Sequence, residues 1–284
     1  MTRWGQLFSS VKERGLLPAL STRFRLFLDE RFDRKFHLDT CGLIDVADLS
    51  CDSGNQRYGT CYQPTPALLL KSLLSNLRKD WGDFTFIDFG SGKGRALVLA
   101  SNFNFRRIIG IEFAKEMHEI AQKNLSAYRS DQQQCFSLES VFADATLFPL
   151  PLENSVLYFF NPFKKEVMEQ VLDNIEHSYL QLPRKIFLIY YQPLLSELID
   201  RRQILRQLGN ESLGFCLASA PPFRKKVKIY ETLPAAAVAA AGSGADEDGS
   251  ATELVVPEGA VCARTAESAV NLMFQSRQEV SQAL

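Results

Sequence analysis

The stretch FIDFGSGKGR, residues 86–95, carries the strongest structural signal in the sequence. It joins an apolar run typical of a strand, Phe84–Phe89, to a run typical of a helix, Ala96–Ala100. Between the two runs, glycine occupies every second position of a short loop. Glycines let a backbone turn sharply and approach a ligand closely, and the N-terminus of the next helix offers free N–H groups to an anion. The stretch therefore predicts a ligand-binding loop at the carboxyl end of a strand.

Outward from this loop, strand-like apolar runs alternate with helical patterns. The runs are Ile108–Ile111, Phe136–Leu138, Val156–Phe160 and Ile186–Tyr191, and a helical pattern follows over 198–208. Continuous apolar strands that alternate with helices predict an α/β fold, in which helices cover both faces of a parallel sheet. Further on, Phe215–Ser219 and Val227–Thr232 have no helix between them, which predicts an antiparallel hairpin at one edge of the sheet.

The composition changes at both ends of this α/β pattern. Residues 1–61 contain helical patterns around 4–11 and over roughly 21–36, which we interpret as a helical segment and a candidate lid. Residues 62–233 form the predicted domain, and its first helix is expected to have Thr65 as N-cap and Pro66 as first residue. Residues 234–284 are rich in Ala and Gly, and we expect this tail to be disordered.

Charge and cysteine spacing narrow the range of partners. The formal net charge is −1, which gives no electrostatic footprint for nucleic acid, although a local patch leaves an RNA partner open. Cys41, Cys51 and Cys61 stand ten residues apart, a spacing that matches no common zinc site. No apolar run has the length of a membrane span, and the first residues lack a signal-peptide pattern. We expect a cytoplasmic protein with no metal and no membrane partner.

The glycine spacing distinguishes two kinds of cofactor. A dinucleotide-binding loop places its third glycine three residues after the second, but here that position is Arg95 and the third glycine is Gly94. The pattern acidic-x-Gly-x-Gly-x-Gly, which begins at Asp88, resembles the first motif of class I S-adenosyl-L-methionine (SAM)-dependent methyltransferases. Together with YGTCYQPTP and YFFNPF, it is similar to an uncharacterised bacterial group of this class and, more distantly, to non-SET protein-lysine methyltransferases.

The resemblance implies a Rossmann-like, seven-stranded and mostly parallel sheet with one antiparallel strand, and SAM as the cofactor. It also implies roles for individual residues. Asp88 is expected to face the methionine ammonium, Glu112 at the end of the second strand to accept bonds from the ribose hydroxyls, and Asp144 to meet the adenine amino group. The other expected cofactor-binding residues are Tyr62, Thr65, Gly90, Ser91, Gly92, Gly94, Phe113 and Ala145.

The segment Asn161-Pro162-Phe163 follows the fourth strand and is the candidate catalytic motif. It resembles the Asn/Asp-Pro-Pro-aromatic motif of amino-methylating enzymes, but has a single proline. The side-chain oxygen of Asn161 is expected to accept a bond from an amine, and Phe163 to face the developing cation. We therefore favour N-methylation of an amine on a protein or small molecule. O-methylation and a non-catalytic SAM-binding module that acts through a partner remain the alternatives.

Overall fold

The computed structural model describes residues 27–44, 61–78, 80–209 and 227–242. The helices are α1 (residues 27–36), α2 (Ala67–Leu77), α3 (Arg95–Ala100), α4 (Lys115–Ala127), α5 (Lys165–Gln181), α6 (Ser196–Asp200) and α7 (Ala235–Gly242). The strands are β1 (Thr85–Phe89), β2 (Arg107–Glu112), β3 (Leu138–Phe142), β4 (Ser155–Phe160), β5 (Ile186–Tyr191), β6 (Leu205–Gln207) and β7 (Val227–Thr232), and a short 3-10 helix spans Ala145–Leu147.

The seven strands form one sheet in the order β3-β2-β1-β4-β5-β7-β6. The first five strands in this order pair in parallel, whereas β7 runs antiparallel to both of its neighbours. The order 3-2-1-4-5 is that of doubly wound Rossmann folds, whose ligands bind at the carboxyl ends of the strands, where the strand order reverses. The predicted fold class, a mostly parallel seven-stranded sheet with one antiparallel strand, is confirmed.

The strands at the centre of the sheet are apolar along their whole length because both faces of the sheet are covered. In β1, Phe86 joins the hydrophobic core beneath α2 and α3, whereas Ile87 and Phe89 join a second core beneath α5. This alternation follows from the two-residue period of a strand. Helices therefore lie on both faces, as predicted.

Several boundaries differ from the sequence-based expectation. The predicted helix over 198–208 ends after the short α6, and Leu205–Gln207 pairs with β7 instead, because tertiary pairing at the sheet edge outweighs the local apolar spacing. The third strand is Leu138–Phe142 rather than Phe136–Leu138. Residues 4–11 and Phe215–Ser219 lie outside the described residues.

Two expectations near the ends of the domain also need correction. Helix α2 begins at Ala67 with Pro66 as N-cap, and the Pro66 carbonyl accepts the first helical N–H groups, so Thr65 is not the cap. Part of the tail that was expected to be disordered, Ala235–Gly242, forms helix α7, and its Val238 packs against the core.

Gly110, in the middle of β2, is a packing constraint that the sequence analysis missed. A β-carbon at this position would lie 2.5 Å from Leu97 Cδ1 and 2.6 Å from Ser91 Oγ. The absence of a side chain here therefore lets both the glycine loop and α3 pack closely on the sheet.

We predict that Gly110→Ala lowers the free energy of unfolding by about 1–3 kcal/mol, because the added methyl group overpacks this contact. Urea denaturation measures the change. Gly209→Ala is the matched control, since a β-carbon there meets no atom of the described residues within 4 Å. Equal stability of the two variants would contradict the packing argument.

Candidate active site

A cleft opens at the carboxyl ends of β1, β2 and β4, where the glycine loop leaves the sheet. It is lined by Cys61, Tyr62, Gln63, Thr65, Asp88, Gly90, Ser91, Gly92, Arg95, Ala96, Glu112, Phe113, Met117, Phe160, Pro162 and Phe163. These residues come from segments far apart in the chain, and the parallel sheet brings them to one edge. This is the position at which doubly wound folds bind ligands.

All three loop glycines adopt left-handed backbone conformations, with φ of +77° at Gly90, +52° at Gly92 and +80° at Gly94. Each also has a close neighbour. A β-carbon would lie 2.7 Å from Pro162 at Gly90, 2.3 Å from the Tyr62 ring at Gly92, and 3.2 Å from Ala121 at Gly94. Both the torsion angle and the space therefore require glycine at the first two positions.

Asp88 lies at the start of the loop with only 4% of its surface exposed, and it faces the cleft. Burial raises its pKa well above the usual value, and the nearby charge of Glu112 adds to this effect. Among the described residues, no hydrogen bond or ion pair compensates the carboxylate. A buried carboxylate of this kind is stabilised by a cationic ligand.

Glu112, the last residue of β2, supports the loop from below. Its carboxylate accepts hydrogen bonds from the Gly92 N–H at 2.7 Å and the Ala114 N–H at 2.8 Å. Burial raises its pKa to about 7, and the backbone N–H groups of Ala114, Gly92 and Phe113 oppose the rise only in part. A carboxylate has about four lone-pair sites, so Glu112 keeps capacity for further donors from a ligand.

The opposite wall of the cleft follows β4. Phe160, Pro162 and Phe163 line it, whereas Asn161 is not among the lining residues. Asn161 has a φ of +44°, and its Oδ1 accepts a hydrogen bond from the Tyr190 hydroxyl at 3.1 Å. The structure thus brings Pro162 and Phe163 of the candidate catalytic motif into the cleft and turns the Asn161 oxygen towards β5.

The structure gathers most of the expected cofactor-binding residues and leaves out three. Gly94 packs against α4 rather than lining the cleft. Asp144 caps the short helix that follows it, accepting from the Thr146 N–H at 2.9 Å and the Thr146 hydroxyl at 2.7 Å. Ala145 is buried in the core next to α5.

The sequence analysis missed other cleft residues, namely Cys61, Gln63, Arg95, Ala96, Met117 and Phe160. For Met117 the apolar spacing of α4 was the available signal, but it does not distinguish a cleft wall from core. For Arg95 the signal was its position directly after the last loop glycine. In the described part of the chain, no group of His, Cys, Asp and Glu side chains is arranged to hold a metal ion, and no helix is long and apolar enough to cross a membrane.

Comparison with known proteins gives structural but not sequence matches. No protein-family profile and no curated protein matches the chain. The structure resembles the 23S rRNA methyltransferase ErmE, with 11% identity, a TM-score of 0.40, and coverage of 62% of this chain and 73% of ErmE. It also resembles the glycopeptide N-methyltransferase MtfA, with 9% identity, a TM-score of 0.42, and coverage of 61% of this chain and 96% of MtfA.

A third match is a dimethyladenosine transferase from Plasmodium falciparum, with 12% identity, a TM-score of 0.39, and coverage of 62% of this chain and 64% of that one. Identities and TM-scores this low carry no argument about activity, so the assignment of the fold rests on the sheet itself. Its seven strands and its single reversed strand are those that the resemblance at residues 86–95 implies. The chain has a Rossmann-like fold.

The raised pKa of Glu112 predicts how stability depends on pH. The folded protein holds this proton up to about pH 7, whereas the unfolded chain releases it near 4.5. Stability is therefore fully present below pH 4.5 and falls as the pH rises towards and through 7, by roughly 3 kcal/mol from this group. Asp88 acts in the same direction.

Urea denaturation between pH 5 and 8 measures this dependence. We expect Glu112→Gln to flatten the fall in stability, whereas the control Glu139→Gln, at an exposed position of β3, leaves it unchanged. A Glu112→Gln variant with the full wild-type pH dependence would contradict the burial argument.

Proposed function

We propose that this chain is a SAM-dependent methyltransferase that methylates an amine. The observation that carries the proposal is the pair of buried carboxylates, Asp88 and Glu112, that flank a glycine loop within one cleft. A methylating cofactor of this kind presents an ammonium and two ribose hydroxyls, and these groups match two buried acceptors. The glycine spacing argues against a dinucleotide, as the sequence analysis set out.

The residues of the cleft fit the cofactor group by group. Asp88 would hold the ammonium, because its carboxylate is buried and no cation of the described residues compensates it. Glu112 would hold the ribose hydroxyls through the acceptor sites that Gly92 and Ala114 leave free. Phe113 and Met117 line the cleft close to Glu112 in sequence and offer apolar surface to the adenine ring.

The contacts of Asp144 support a different arrangement from the one expected for adenine. Its carboxylate bonds to Thr146 within its own turn. We therefore assign adenine binding to the apolar side chains of the cleft and leave Asp144 a local structural role.

The bound cofactor supplies a methyl group on a positively charged sulfur, which a nucleophile displaces in line. The task of the protein in such a displacement is to position the acceptor. Pro162 contacts the α-carbon of Gly90, so it fixes the spacing between the acceptor wall and the loop. Phe160 and Phe163 exclude water and present ring faces that stabilise positive charge on the acceptor.

The cleft favours an amine acceptor over a hydroxyl. A hydroxyl needs a base or a metal ion to become nucleophilic, whereas a neutral amine already has a free lone pair. No His or Lys lines the cleft in the described part of the chain, and its two carboxylates are assigned to the cofactor. The acceptor amine would lie on a protein or a small molecule. The labelling assay described below distinguishes these acceptors from RNA.

Asn161 acts in this proposal by shaping the acceptor wall. A residue other than glycine pays about 1–2 kcal/mol for a left-handed backbone, and Asn is among the residues that tolerate it best. The hydrogen bond from Tyr190 holds the side chain in place. Asn161 therefore keeps Pro162 and Phe163 directed into the cleft.

We predict that Asn161→Ala lowers methyl transfer on the order of 10²-fold while leaving cofactor affinity nearly unchanged, because a displaced acceptor wall misaligns the reaction. The assay incubates the protein with lysate and methyl-labelled SAM, and then separates protein, RNA and small molecules. Asn174→Ala is the control, because Asn174 bonds to the Thr146 carbonyl away from the cleft.

Label in the protein or small-molecule fraction, lost in Asn161→Ala and retained in Asn174→Ala, supports the proposal. Label in RNA would overturn the assignment of the acceptor. Cofactor binding with no methyl transfer to any fraction would favour a non-catalytic module. Normal methyl transfer by Asn161→Ala would mean that Asn161 and Pro162 only turn the chain.

A further inference from the structure

The first residue of α3, Arg95, makes an unusual set of buried contacts directly after the glycine loop. Only 2% of its surface is exposed. Its guanidinium donates to Asp29 Oδ1 at 2.6 Å, to Asp33 Oδ1 at 3.3 Å and to the Thr40 hydroxyl at 2.8 Å. It also donates to the Thr65 carbonyl at 3.0 Å. One side chain thus joins α1, the segment after α1, and the segment before α2.

The carboxylate of Asp33 continues this network along the chain. It accepts the Thr40 N–H at 2.7 Å, the Thr40 hydroxyl at 2.5 Å and the Cys41 N–H at 2.7 Å. Because two backbone N–H groups bind to it, the path of the chain after α1 is set by this carboxylate. Arg95 in turn holds the carboxylate in place.

A second set of contacts ties the same segment to the loop. Lys93 Nζ lies 2.6 Å from Asp39 Oδ1 and donates to the Cys41 carbonyl at 3.0 Å. The Asn124 side chain on α4 accepts the Asp39 N–H at 2.9 Å and donates to the Asp39 and Lys93 carbonyls at 2.8 and 2.9 Å. The loop, α3 and α4 therefore all bind the segment after α1.

Tyr62 connects the segment after α1 to the glycine loop and covers part of the cleft. Its backbone pairs with Ile44 in an antiparallel bridge, and its hydroxyl donates to the Thr40 carbonyl at 2.7 Å. Its ring lies against the α-carbon of Gly92, where a β-carbon would be 2.3 Å from two ring carbons. The ring thus forms one wall of the cleft and seals it against the glycine loop.

We propose that residues 37–44 together with Tyr62 form a strap, that Arg95 is the positioning residue that latches it, and that the strap controls entry and exit of the cofactor. This inference rests on the proposed function, because it concerns the same cleft. The strap lies closed on the glycine loop both before and after the cofactor binds, and each passage of the cofactor requires Tyr62 to swing away.

The type of latch supports a role in control rather than in stability. A buried ion pair adds little net stability, because the charges must leave water, and in some proteins such a group serves to specify one arrangement of the chain. The latch is built from Arg95 and Lys93, which flank the last loop glycine, Gly94. A change in the strap is thereby transmitted to the loop without any direct contact between the cofactor and the carboxylates of Asp33 and Asp39.

A strap that closes the cleft affects the rates at which the cofactor associates and dissociates. If the cofactor enters and leaves only while the strap is open, then a variant that raises the fraction of molecules with an open strap speeds association and dissociation by the same factor. The affinity therefore changes little. A residue that simply contacts the cofactor behaves differently, since its loss raises mainly the dissociation rate.

Tyr62→Phe tests this, because it keeps the ring on Gly92 and removes only the bond to Thr40. We expect the association and dissociation rates of S-adenosylhomocysteine, measured by surface plasmon resonance, each to rise about fivefold, the factor that corresponds to one net hydrogen bond. Asp39→Asn, which removes the negative charge of the exposed partner of Lys93, is expected to act in the same direction. Tyr128→Phe is the matched control, because its buried hydroxyl bonds to Asn102 away from the cleft.

Each outcome has a distinct meaning. Two rates that rise together in Tyr62→Phe, with little change in affinity and no change in Tyr128→Phe, support the strap. Unchanged rates, or a rise in the dissociation rate alone, overturn it. If the wild-type protein binds neither S-adenosylhomocysteine nor SAM, the proposed function itself fails, and the proposed role of the strap fails with it.

Discussion

The structure depends on one conformational constraint, the left-handed backbone of the loop between β1 and α3. At Gly90 and Gly92, a side chain would collide with Pro162 and with the ring of Tyr62. The acceptor wall and the strap are therefore both packed directly onto the loop, and Glu112 fixes it from below by accepting the Gly92 N–H. Everything that we assign to the cleft is positioned relative to this loop.

The fold could be predicted because its signals are local. Glycine alternation marks the loop, and fully apolar strands such as β4 and β5 mark a sheet buried on both faces. Strand β6 could not be predicted, because three residues carry no period and form a strand only by pairing with β7. Edge pairing of this kind is visible only once the rest of the sheet exists.

Strand ends made one part of the candidate site predictable, and the resemblance added Tyr62 and Thr65, which also line the cleft. Asp88 and Glu112 follow directly from the ends of β1 and β2. The contacts of Asn161 and Arg95 do not, because their partners lie far away in sequence: Tyr190 is 29 residues from Asn161, and Asp29 is 66 residues from Arg95. Asp144 shows the opposite effect, since its own turn satisfies a carboxylate whose position alone suggested a ligand contact.

The central claim is that two buried carboxylates and the glycine loop hold SAM. Titration calorimetry with SAM and with NAD tests it most directly, with Glu112→Ala compared with the exposed-site variant Glu119→Ala. The account predicts SAM binding, no NAD binding, and a loss of about 2–4 kcal/mol of binding free energy in Glu112→Ala alone, from two charge-assisted hydrogen bonds. Binding of NAD without SAM, or equal SAM affinity in both variants, would contradict it.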